Sequence, residues 1–262
     1  MSSAETLLRQ GDLNGARAEL VELVKKTPGN VEARMFLFQL LALSGEWTKA
    51  RAQLNALAQL SPDAMMLSTA YGQAIEAEAL RAEVFAGKAP VALLTKSQPW
   101  AADLAAALGH ELAGRMDAAA EARERAFAAA PDTPGTLDGV EFDWIADADS
   151  RFGPALEAII AGKWGLITFD TLQYVKSEGA KDLRDMLWYP VQIGFKSGQS
   201  VAGFLPVRYP GSEQSDDVND VLARSTRWIE TDNGVTGLGQ HILNLSSGDE
   251  RDLLSLRKLE FR

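Results

Sequence analysis

The chain has 262 residues, 46% of them hydrophobic and 24% charged, enough for one large globular domain or two smaller ones with a core that needs no crosslinks. The absence of cysteine excludes disulfides, thiolate metal sites and cysteine nucleophiles. With 26 basic against 36 acidic side chains the net charge is −10, and repulsion from phosphates argues against a nucleic-acid partner.

The first helix is expected at the N-terminus, where Ser2-Ser-Ala-Glu5 has a capping-box pattern and Leu7 and Leu8 follow. It is either the opening helix of a repeat or a terminal helix that docks in a partner's groove. Glycine, alanine and proline then recur at offsets of five and twelve: Gly11, Ala16, Pro28; Gly45, Ala50, Pro62; Gly114, Ala119, Pro131. The first two sets lie 34 residues apart, the period of the tetratricopeptide repeat. Glycine permits the tight turn between antiparallel helices, alanine allows their close approach, and proline ends the second helix. Leu13, Ala16, Leu20, Leu23 and Val24 form one apolar stripe; Trp47, Ala50, Leu54, Leu57 and Ala58 form the matching one. Arg34, Leu37, Phe38 and Leu41 hold the first-helix positions, and Phe38 stands where the repeat wants a small residue, so packing there should differ. A long helix over about 64–85, a connection over 87–99 and a last hairpin, 100–113 with 116–129, complete the front half.

Turn residues over 131–140 mark a boundary, giving a helical-repeat part, 1–135, and a β-rich part, 136–262. A short helix is expected over 154–161, with Pro154 in its first turn. Strands are expected over 163–170, 190–196, 200–207, 226–230, 241–245 and 257–261. Ser197-Gly198 reads as a hairpin, Asp232-Asn-Gly234 as a turn, and 216–224 as a short helix. Helices first and strands later make the fold class α+β, the second part a bent sheet or partial barrel.

Chemistry-bearing candidates are few. Asp138, Glu141, Asp143, Asp147 and Asp149 crowd twelve residues, and such oxygen-rich clusters are what calcium or magnesium needs. The loop pattern fails in detail: Arg151 sits at a ligand position and the glycine comes one place late. The competing reading has Asp147 and Asp149 accepting backbone N–H groups or pairing with Arg151, with Trp144 and Ile145 as buried anchors. Tyr209-Pro210-Gly211-Ser212 reads as a type II turn; it is either a binding tip with Arg208, Ser212 and Glu213 exposed or simply a tight loop. The two histidines, His110 and His241, have no motif around them, Gly237-Leu-Gly239-Gln240 reads as a turn, and no nucleophile elbow or phosphate-binding loop is present. No cofactor is expected.

The combination of Trp144-Ile-Ala-Asp-Ala-Asp149 with Arg151 and Gly153-Pro154, Leu183-Arg-Asp-Met-Leu-Trp188 with Pro190, Leu205-Pro with Tyr209-Pro-Gly-Ser212, Gly237-x-Gly239-Gln240 and Leu256-Arg-x-Leu-Glu260 resembles the TagJ/ImpE family of bacterial type VI secretion accessory proteins. The resemblance implies a non-enzymatic adaptor that binds the small sheath subunit, TssB, and in some systems also the N-terminal domain of the sheath-dismantling ATPase, ClpV, through an N-terminal helix. Such a protein would be cytoplasmic, in keeping with an acidic N-terminus that has no export pattern and with the lack of a membrane-length apolar run. Two alternatives stand beside it: a generic repeat adaptor or chaperone that captures a peptide or partner helix, and a metal-dependent hydrolase using the acids at 138–149.

Overall fold

The structure, a computed structural model, describes residues 3–96, 98–231 and 234–262. Ser2, the expected capping residue, and the turn residues Asp232 and Asn233 lie outside them.

Helix hairpins come first. They are α1 (Ser3–Arg9) with α2 (Leu13–Lys26), α3 (Val31–Leu43) with α4 (Trp47–Leu60), and α6 (Pro99–Leu112) with α7 (Met116–Ala129), the last pair following the long α5 (Asp63–Phe85). Gly11, Gly45 and Gly114 all take left-handed φ values, 84°, 69° and 72°. In each case the next residue's N–H reaches back across the turn: Asp12 to the Leu7 carbonyl, Glu46 to Leu41, Arg115 to His110, at 2.8–2.9 Å. That backward bond satisfies a helix-end carbonyl and needs the residue at the glycine position in the left-handed region. Ala16, Ala50 and Ala119 are fully buried where the paired helices touch. The five-and-twelve spacing therefore records one hairpin made three times.

Thirteen strands follow among the described residues. The main sheet has eight, in the order β2 (Val140–Phe142), β1 (Gly135–Leu137), β13 (Lys258–Phe261), β6 (Leu172–Lys176), β7 (Trp188–Phe195), β8 (Ser200–Pro206), β4 (Ala155–Ile160), β5 (Lys163–Thr168), each paired antiparallel with its neighbours. A three-stranded sheet, β12 (Glu250–Asp252), β11 (Ile242–Leu245), β3 (Ile145–Asp147), and a hairpin, β9 (Thr226–Thr231) with β10 (Gly234–Gly239), complete it. One short helix, α8 (Val218–Val221), lies within the expected 216–224 segment.

Both faces of the main sheet are covered. On one, Leu156, Ala158, Ile167, Tyr189, Val191 and Ile193 share a core with Ile145, Leu243 and Leu245 of the small sheet. On the other, Ile159, Trp164 and Trp188 join the core of the helices. Phe38 is part of that second core: its ring stands 6.0 Å from Tyr71 and 6.5 Å from Trp188. The bulky residue at a small-residue position of the repeat thus fills the joint between helices and sheet.

The expected helix over 154–161 is strand β4 instead. A strand buried on both faces loses the apolar–polar alternation and reads as a continuous apolar run, which periodicity cannot tell from a helix. Its turn was hidden too. Ala161 and Gly162 have φ values of 49° and 74°, the two-residue hairpin turn that usually carries Asn-Gly or Asp-Gly. Asp138-Gly139 forms the same kind of turn between β1 and β2, so the end of the boundary segment is itself a hairpin. Gly237-Leu-Gly239, expected as a turn, lies in β10, where the ring of Tyr209 sits against Gly237 so closely that a Cβ would be 2.3 Å from it.

Two changes test this packing. Trp188→Ala removes a fully buried indole from between Phe38, Trp47 and Tyr71; urea denaturation should show a loss of about 3–5 kcal/mol. Ala161→Asn places a residue tolerant of positive φ at the exposed β4–β5 turn and should raise stability by roughly 0.5–1 kcal/mol, read as a higher denaturation midpoint with an unchanged slope.

Candidate functional site

Glu157 is the middle of β4, on the face that meets the helices, and burial would push its carboxyl up. Three donors meet it, and two of them, Arg81 first and then His241, overcome that. Arg81 of α5 grips it with two bonds, Nε at 2.6 Å and Nη2 at 2.7 Å; Trp164 Nε1 donates at 2.8 Å; His241 Nε2 lies 3.1 Å away. The carboxyl is held down at about 2. His241 continues the chain, with Nδ1 2.5 Å from Asp147, whose other oxygen accepts the Tyr209 hydroxyl at 2.8 Å. Burial alone would depress the imidazole, but Asp147 and Glu157 on its two nitrogens lift it to about 9, while burial pushes the Asp147 carboxyl up. The Tyr209 ring lies 3.9 Å from it, centroid to centroid, and Phe152 stands edge-on at 5.2 Å.

Arg81 extends the network toward the helices. Its Nη1 is 3.5 Å from Glu78, which accepts from Trp188 Nε1 at 3.2 Å and whose carboxyl burial pushes up. Its Nη2 also donates to the Arg208 carbonyl at 2.8 Å. Arg208 Nη1 in turn donates to the carbonyls of Leu43, the last residue of α3, and Val221, the last of α8, at 2.9 and 2.6 Å. Those are helix-end carbonyls with no partner of their own. Burial lowers Arg208 to about 10, which leaves it charged at neutral pH.

The residues singled out in the sequence fall into this network or beside it. Asp147 accepts the Asp149 N–H at 2.8 Å, and Asp149 accepts the Arg151 N–H, the Arg151 side chain and the Gly237 N–H. Tyr209-Pro210-Gly211-Ser212 is a type II turn, with Gly211 at φ 88° and ψ −6°. Its expected exposed tip is corrected: Arg208 and Ser212 are buried, and Ser212 Oγ donates to the Tyr209 carbonyl and accepts the Gly239 N–H. Trp144, expected as a buried anchor, is 44% exposed, while its neighbour Ile145 faces the core. Leu7 and Leu8 are half-buried on the α1 side of the first hairpin, packed against the helical core.

The five acids at 138–149 do not converge. Asp138 accepts the N–H groups of Arg257 and Lys258, Glu141 pairs with Arg262, Asp143 is exposed, and Asp147 and Asp149 are committed as above. Among the described residues no group of three or more histidines and acids is placed to hold a metal ion. The Tyr209–Asp147–His241–Glu157 series resembles a proton relay, but both imidazole nitrogens face carboxylates and none is left to take a proton from a substrate. The arrangement can do one thing well: hold the helices, the main sheet and the small sheet in a fixed relation. Sequence reading missed Glu78, Arg81, Glu157 and His241. The available signal was a charge inside an apolar stretch: Glu157 between Ala155 and Ile159 on a strand, Arg81 between Ala77 and Val84 on a helix.

Comparison with known proteins agrees with both halves. Residues 139–260 match the model of the ImpE protein family, and residues 7–84 match a tetratricopeptide repeat model. The type VI secretion system accessory component TagJ of Pseudomonas aeruginosa is 39% identical over 258 residues, 98% of this chain and 90% of that protein. A crystal structure of a Vibrio parahaemolyticus protein superposes with a TM-score of 0.88 at 20% identity, covering 100% of this chain and 98% of the other, so the fold is shared end to end.

The network makes stability depend on pH in a stated direction. His241 rises from 6.5 to about 9 on folding, so its contribution is complete below pH 6.5 and is lost as pH climbs through 9. The melting temperature should fall across that window, with about 3 kcal/mol of stability lost by its upper end, and His241→Gln should flatten the slope. Glu157→Gln leaves Arg81 with only the distant Glu78 carboxylate and should cost about 3–5 kcal/mol in chemical denaturation.

Proposed function

The chain belongs to the TagJ/ImpE family of type VI secretion accessory proteins, and from that premise we propose that it is a non-enzymatic adaptor that binds a helix of the small sheath subunit, TssB, in the cytoplasm. The observation that carries this reading is the full-length likeness to an accessory component, together with a repeat scaffold of the kind that presents surfaces to partner proteins. The buried network supports it: its charged groups serve the joint and leave no imidazole nitrogen free for a reaction. Among the described residues no helix is long and apolar enough to cross a membrane.

Residues 1–135 and 136–262 then act as one platform. A partner that engages this adaptor meets a surface whose parts are already fixed, which lowers the ordering cost of binding. ClpV is the second partner in this reading. Docking through the first helix would have to release Leu7 and Leu8 from the core they pack against, so the sheath subunit comes first.

The test is co-purification of the full chain with the small sheath subunit from the same gene neighbourhood. A complex that disappears when that subunit's N-terminal helix is removed is the expected result. No complex at micromolar concentration would overturn the sheath-subunit reading.

A further inference from the structure

A groove of about 610 Å³ opens at the end of the main sheet, between the β4–β5 hairpin, the β7–β8 turn and the connection that leads into α6. Its floor is apolar, with Leu94, Phe195 and Val201. Its rim carries Lys96, Lys163 and Lys196, all exposed, and among the described residues no acidic one lines it. None of the three ammonium groups has a described carboxylate within 4.0 Å. That composition stands out in a chain of net charge −10. Two other cavities mix the signs: the one beside Arg208 contains Glu78 and Glu213, and the one beside Lys176 and Lys181 contains Glu178 and Asp185; a third, beside Lys88 and Arg115, is also basic but with two cations in place of three.

We propose that this groove docks an acidic amphipathic segment of a protein partner, its carboxylates meeting Lys96, Lys163 and Lys196 and its apolar side chains covering Leu94, Phe195 and Val201. The inference rests on the adaptor reading above and names the surface that such an adaptor uses. Three long, flexible lysine stems suit a segment whose carboxylates are spaced along a helix, because each ammonium finds its own oxygen without a fixed fork geometry. The volume holds a few side chains, the size of an anchor and not of a whole helix. Attraction at the rim would also speed encounter and set orientation, since the chain as a whole is acidic, at net charge −10.

The probe is a blocked helical peptide of about three turns, with leucine at every third or fourth position and glutamate between, measured by fluorescence anisotropy on the full chain. It should bind, weaken as salt shortens the screening length below ~10 Å, and bind about tenfold more tightly than the same peptide with glutamine for glutamate. The triple variant Lys96→Glu, Lys163→Glu, Lys196→Glu should lose at least that factor while its circular dichroism and melting temperature stay unchanged. A control triple at Lys25, Lys26 and Lys88 should bind like the parent. Equal binding of the glutamine peptide, an unaffected groove triple, or a preference for phosphatidylglycerol vesicles over the acidic peptide would overturn the proposal. The same triple in the sheath-subunit co-purification separates the two readings. A complex that survives it removes the groove and leaves the adaptor. Peptide binding lost in the triple, with no sheath-subunit complex for the parent chain, removes the sheath partner and leaves the groove.

Discussion

A carboxylate at the centre of a strand covered on both faces is tolerable only if every charge near it is answered. Glu157 is answered by Arg81 from the helices, Trp164 from the adjacent strand and His241 from the start of the small sheet. Each layer therefore contributes one donor to the same two oxygens. Losing a layer takes one of these donors away, and weakening a buried ion pair on one side costs more than the pair itself contributes. The neighbouring contacts obey the same logic. Arg208 satisfies two helix-end carbonyls, Glu78 takes the indole N–H of Trp188, and Gln39 of α3 donates to Asp182 ahead of Trp188. The apolar part of the joint, with Phe38, Trp47, Tyr71 and Trp188, supplies the burial, and the polar part fixes the register.

This explains why the conspicuous sequence motifs are structural. Asp147, Asp149 and Arg151 turn the chain into β4 and tie it to Gly237. Tyr209-Pro-Gly-Ser212 brings a hydroxyl to Asp147 and a serine to the Gly239 N–H. Gln240 joins the Ala223 carbonyl to the Leu254 N–H. Arg257 closes on the Tyr189 hydroxyl. The segments that resemble the family hold the β-rich part together, and Trp188 and Arg208 tie it to the helices. The lysine-rimmed groove lies outside all of these segments.

The helical half was readable because its signals are local. A turn glycine, a packing alanine and a terminating proline each act within one hairpin, and their spacing survives any tertiary context. Six strands were readable for the same reason, through short apolar runs between turn residues. Strand β4 was not, because burial on both faces erased its alternation and Ala161 gave its turn no recognisable residue. The network was not either. Arg81 and Glu157 are 76 residues apart, Asp147 and His241 are 94, and nothing in either neighbourhood points to the other. The type II turn was legible from Pro210-Gly211, but its burial was not, since exposure depends on what the rest of the chain places over it.

The central claim is that helices and sheets form one cooperative body joined through Glu157. Differential scanning calorimetry of the full chain near neutral pH tests it most directly. The account predicts a single transition whose calorimetric enthalpy equals its van't Hoff enthalpy, with helical and aromatic circular dichroism lost together. Two separable transitions, with the helices melting while the sheet's aromatic signal persists, would contradict it.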